Sequence, residues 1–202
     1  MSHAAVLVAL NGATSLSHVD SAVYYQMEPF NENGEWFRDG SRWDWWEIGG
    51  RFSDLLPADI MRRDQVDLQG IRQHSAEMIY EDWQRGQKEE NAELRKAIYG
   101  IEPGDTFEQY LERNQTSFPP FFAFLRNRVW HERARMGWFG GTAQTECELA
   151  GEDSQKCLHT DEHTGAKIIS WGNDQTWGVK FFDRFVRDLP GSTILVVVDY
   201  HI

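Results

Sequence analysis

Two kinds of apolar run alternate along the chain. Ala4–Leu10 and Thr193–Val198 are unbroken apolar stretches of strand length, the first closed by Asn11-Gly12 and the second preceded by Pro190-Gly191. Short continuous runs bounded by turn residues predict strands buried on both faces. Asp20–Met27 predicts a short helix ending before Pro29. Asn33-Gly34 predicts a hairpin turn flanked by Trp36-Phe37, and the Trp-rich stretch beyond it is expected to be extended through Ile48 and broken at Gly49-Gly50. From Asp64 to Tyr99 the pattern turns helical, with Leu68, Ile71, Met78, Ile79 and Trp83 on one stripe. Gln84–Glu93 is polar all round with Gly86 inside it, which predicts a solvated arm or an inter-helix bend. Thr106–Arg113 and Phe121–Glu132 predict further helices, the second entered through Pro119-Pro120. Cys147–Thr164 reads as a polar loop and Lys167–Trp171 as a strand. Trp177–Asp188 reads as an amphipathic helix with Val179, Phe182, Phe185 and Val186 on one side.

Strands at both ends with helices between them predict an α+β fold. Its small mixed sheet is expected to contain both terminal strands as central neighbours, in a single domain over residues 1–202 with a largely helical insertion over 59–115. The sequence contains no internal repeat.

Composition narrows the class. Over 202 residues, 41% hydrophobic content and nine tryptophans predict a folded chain with a sizeable core. A net charge of −12 excludes non-specific nucleic-acid binding, which needs clustered Lys and Arg, and suits a basic partner protein. No apolar run approaches the roughly 20 residues of a membrane span. Ala4–Leu10 has no basic region before it and reads as a buried strand, not a signal peptide. With two cysteines and no export signal, the expected compartment is a reducing cytoplasm.

The densest candidate chemistry lies in Ser41–Phe52, which holds three tryptophans, two carboxylates and a paired glycine ahead of Arg51. If Trp43–Ile48 is a strand, Trp43, Trp45 and Glu47 share one face and Asp44, Trp46 and Ile48 the other. Backbone amides at Gly49-Gly50 beside Arg51 would then form an anion-binding turn. With aromatic surfaces, Asp44 and Glu47 nearby, the segment suits a nucleotide-like ligand. The structural alternative is a sheet corner, with tryptophans in the core, Asp44 accepting indole or backbone N–H groups and Arg51 paired to a carboxylate. His131 is a candidate for the same place as acid–base group, and Arg133 or Arg135 as anion clamp, although a lone histidine also serves as a helix C-terminal partner. No nucleophile motif is present, and catalytic residues are not assignable.

Cys147, Cys157, His159 and His163 supply four potential zinc ligands within seventeen positions, at a spacing unlike the usual fingers. An ordinary polar loop explains the same residues, so no cofactor is expected beyond this zinc candidate. Glu77, Glu81, Asp82, Glu89, Glu90 and Glu93 form an acidic stretch suited to a basic partner protein, or else the solvated side of helices.

Three segments resemble a family of uncharacterised phage and mobile-element proteins: Trp43–Phe52, Met136–Gly140 and Val198–Ile202. That family shows a Trp-Asp-Trp-Tyr-x-Ile-Gly-Gly-Arg-Trp block, a Met-Gly-Trp-Trp/Phe-Gly block and a Val-Asp-Cys-His-Ile-like end. Here Trp46, Phe52 and Tyr200 stand at the Tyr, final Trp and Cys positions, and Tyr200 removes any thiol role. The resemblance implies a phage context and a host cytoplasm, and it implies that the segments meet, with Asp199 and His201 beside Asp44 and Arg51. It implies no activity. The expected function is that of an acidic interaction protein that binds and modulates a host protein, for instance of an antiviral defence system. The alternative is a nucleotide-binding protein or enzyme acting through Asp44, Glu47, Arg51, His131, Arg133 and His201.

Overall fold

The computed structural model describes residues 3–33, 42–53, 55–67, 80–81, 83–110, 121–133, 135–136, 142–143, 157–160, 165–171 and 177–201. Its centre is a mixed sheet in which β1 (His3–Leu10) pairs antiparallel with β10 (Ile194–His201), His3 opposite His201 and Leu10 opposite Ile194. Every residue of β10, and every residue of β1 after His3, is buried, as two-faced apolar runs require. β2 (Trp45–Ile48) and β3 (Ile60–Arg62) lie end to end along the outer side of β10. On the other side β1 pairs in parallel with β4 (Phe121–Arg126), followed by β5 (Val129–Glu132), β9 (Lys167–Ser170) and β8 (Cys157–Thr160). The remaining two strands, β6 (Arg135–Met136) and β7 (Thr142–Ala143), pair with each other. This is an α+β fold with both terminal strands at the heart of a mixed sheet.

Among the described residues one helix covers each face. α1 (Val19–Met27) turns Val19, Val23 and Met27, one helical stripe, onto Val6, Val8, Val196 and Val198. α3 (Trp177–Phe185) sets Trp177, Phe181 and Phe185 against the opposite face, where Phe121 stacks on Phe181 at 5.4 Å and Phe124 on Phe185 at 4.8 Å. The helix ends at Phe185, and the 186–188 turn replaces its expected last residues. α2 (Ala92–Tyr99) begins at Asn91, whose side chain accepts from the amides of Glu93 and Leu94, and ends at Gly100 with φ +67°. Residues 83–87 are helical, so 84–93 is a bend between helices. Trp83, Ile101, Phe107 and Tyr110 form a small separate core; the rest of the expected stripe, Leu68 to Ile79, lies outside the described residues. Among the described residues no helix is long and apolar enough to cross a membrane.

Several expectations are corrected. Phe121–Glu132 is not a helix but the β4–β5 hairpin, turning at Asn127 and Arg128 with φ of +52° and +59°. Both central residues of a type I′ turn need positive φ. Arg128 is held there by its amide bond to Gln26 (2.8 Å) and its stacking over Tyr25. The 147–164 stretch is not all loop, since β8 lies in it. The 59–115 block is not wholly an insertion, because β3 belongs to the sheet.

A buried polar network crosses the α1 face. Arg42 grips Glu132 with Nε at 2.6 Å and Nη2 at 2.9 Å, and the Trp130 indole donates to Glu132 at 3.2 Å. Trp130 meets Tyr200 edge-on at 5.3 Å, diagonally across the sheet, Tyr200 being registered opposite Ala4 and Trp130 opposite Leu125. Burial, and then the Glu132 charge, push the Tyr200 phenol well above its ordinary range, with Arg42 opposing. The folded state therefore keeps this proton at a pH where the unfolded chain has lost it, so stability is unaffected by this group below pH ~10 and falls above it. Alkaline denaturation followed by circular dichroism is expected to show that decline, reduced in Tyr200→Phe.

Candidate functional site

The Trp43–Phe52 segment bends before it becomes a strand. The Asp44 amide donates to the His201 carbonyl at 3.0 Å, and only from Trp45 does antiparallel pairing with β10 set in, Trp45 opposite His201 and Glu47 opposite Asp199. The expected alternation over 43–48 thus fails at its start. Trp43 is buried on the α1 face near Trp46, its indole donating to the Met27 carbonyl at 2.9 Å, while Asp44 reaches His201.

On the α3 face, at the carboxyl end of β10, the chain gathers His3, Asp44, Trp45, Glu47, Asp199 and His201. Asp199 is fully buried. Its Oδ1 meets His3 Nδ1 at 2.9 Å, and its Oδ2 accepts the Arg51 amide at 3.1 Å. Asp44 Oδ1 lies 2.6 Å from His201 Nδ1. Both histidines are therefore oriented through Nδ1 by a carboxylate, with ring centroids 5.1 Å apart. His201 Nε2 is buried and has no hydrogen-bond partner among the described residues.

The paired glycine has a physical reason. Gly49 and Gly50 have φ of +72° and +55°, and a Cβ on Gly50 would stand 2.6 Å from Asp199 Cβ and 2.8 Å from Glu47 Oε1. The amides here do not form the expected open anion nest. Gly49 N–H donates to the Val197 carbonyl and Arg51 N–H to Asp199, so the turn already cradles an anion, the protein's own carboxylate. The Arg51 side chain is exposed and makes no hydrogen bond or ion pair among the described residues.

Of the six sequence-derived ligand-site residues, Asp44, Glu47, Arg51 and His201 converge. His131 and Arg133 do not join them. His131 lies on β5, three strands from β10 or about 14 Å. It packs among Phe124, Trp171 and Phe185, its ring 4.9 Å from Phe185, so it is not a helix-end residue either. Arg133 follows at the end of that strand, its amide bonded to the Phe122 carbonyl. His3 was missed by sequence reasoning. Antiparallel pairing of the terminal strands was the available signal, since it sets the start of one against the end of the other.

Of the zinc candidate, Cys157 and His159 stand two apart on β8, while Cys147 and His163 lie outside the described residues. In the acidic block Glu81, Glu90 and Glu93 are exposed and Glu89 is half-buried, whereas Glu77 and Asp82 lie outside the described residues. Of the three resembling segments, the first and last meet as expected; Gly137–Gly140 lies outside the described residues. Comparison with protein-family models, curated proteins and solved structures finds no match.

Proposed function

We propose that the protein binds a planar, anionic small molecule of nucleotide type at the corner where β2 meets β10. The observation that supports this reading is an exposed indole and an exposed guanidinium, on segments that both meet the carboxyl end of β10 over a base of buried, oriented polar groups. Trp45 is 45% exposed, with its ring set edge-to-face against His3 at 6.0 Å. A base stacked on such an indole gains about 1–3 kcal/mol. Among the described residues the Arg51 guanidinium has no ion-pair partner, and a guanidinium grips phosphate bidentately. Asp44, one-third exposed, and the exposed Glu47 can accept hydrogen bonds from amino or ribose groups.

Melting curves across a panel of nucleoside mono-, di- and triphosphates check this reading. A bound member at a hundred times its dissociation constant stabilises by about 2.7 kcal/mol. Unaltered melting across the whole panel would count against the reading.

A second reading, an acidic phage-type protein that binds and modulates a host protein, draws on the helical block. Its small core of Trp83, Ile101, Phe107 and Tyr110 is separate from the sheet cores, and Glu90 and Glu93 face solvent. Charge reversal at these two positions is expected to slow association with a basic partner in a salt-dependent way.

A further inference from the structure

We propose that His3 and His201 are paired imidazole ligands for a divalent transition-metal ion of the zinc class, bound through their Nε2 atoms. Each ring is already held from behind: His3 Nδ1 lies 2.9 Å from Asp199 Oδ1 and His201 Nδ1 2.6 Å from Asp44 Oδ1. A metal-ligating histidine almost always gives its other ring N–H to a carboxylate or carbonyl, which fixes the tautomer and leaves Nε2 as the basic nitrogen. Here two such pairs stand side by side, on residues registered opposite each other in adjacent strands.

Two further observations point to a ligand. His201 is 8% exposed and its Nε2 is buried with no hydrogen-bond partner among the described residues, an arrangement that proteins seldom tolerate unless something fills it. The spacing also fits. Two imidazoles on one tetrahedral ion, with metal–nitrogen bonds of about 2.0–2.1 Å, have ring centroids about 5.2 Å apart. The observed separation is 5.1 Å. The carboxylates behind the rings add negative charge that favours a cation. Among the described residues no three His, Cys, Asp or Glu side chains make a ready ligand set, so the proposal takes the two rings as its only protein ligands. Two protein ligands leave coordination positions for water or a phosphate oxygen. The site uses nitrogen donors only, which separates it from the Cys147/Cys157/His159/His163 candidate, where thiolates would bind.

The test uses the full chain, stripped with a chelator, exchanged into fresh buffer and studied without any nucleotide. Calorimetric titration with Zn2+ is expected to show one equivalent bound. Affinity should fall at least about tenfold in His3→Gln and in His201→Gln and stay unchanged in Cys157→Ser. The Co2+-loaded protein is expected to lack a thiolate charge-transfer band. In the unaltered protein, Zn2+ should shift the Nε2 resonances of both histidines, a readout that does not depend on how the variants fold. No Zn2+ binding, Nε2 resonances that stay put, or a thiolate band abolished in Cys157→Ser would overturn the proposal. Because nucleotide is absent throughout, failure here leaves the nucleotide reading to its own test, and the reverse.

Discussion

Glu132→Ala is expected to destabilise the protein by about 3–5 kcal/mol, the usual consequence of removing one partner from a buried ion pair. Arg42 and Glu132 have side chains only 8% and 1% exposed, so water cannot replace the lost carboxylate. The Trp130 indole N–H would lose its acceptor as well. Chemical denaturation of the variant checks the value. The double variant Arg42→Met with Glu132→Leu should recover much of the loss, because no buried charge then remains unpaired. A single variant within 1 kcal/mol of the parent, by about the scale of a surface substitution, would show that the pair is not structural.

Gly50→Ala is expected to cost about 2–5 kcal/mol, from a left-handed backbone (about 1–2) and a forced side-chain clash (about 1–3). The new Cβ would stand 2.6 Å from Asp199 Cβ, and Asp199 has little freedom to yield because His3 and the Arg51 amide hold both its oxygens. Gly100→Ala is the control. Gly100 also has a positive φ, +67°, yet among the described residues nothing lies within 4 Å of its added Cβ, so only the backbone cost applies. Equal losses in the two variants would mean that the Asp199 contact does not set the need for glycine at position 50.

The sheet centre was legible because Ala4–Leu10 and Thr193–Val198 are apolar on both faces and bounded by turn residues. The β4–β5 hairpin was not. A run buried on both faces has no period of two, and its Asn127-Arg128 turn lacks the glycine that marks most such turns. Within the site, the meeting of Trp43–Phe52 with Val198–Ile202 was expected only from the family resemblance. Its register was not. That His3 faces His201, or that Arg42 pairs with a residue 90 positions away, follows only once the strands are placed. The amide nest was misread for the same reason, since its anion, Asp199, arrives from a strand 148 positions further on.

Arg51 carries the test of the central claim, that this corner binds a nucleotide-type anion. Calorimetric titration of the parent with the nucleotide that most raises its melting temperature should give saturable binding. In Arg51→Ala that binding should weaken at least tenfold, about 1.4 kcal/mol, with the circular dichroism spectrum unchanged. Equal affinity in parent and variant, or no nucleotide binding by the parent, would contradict the account.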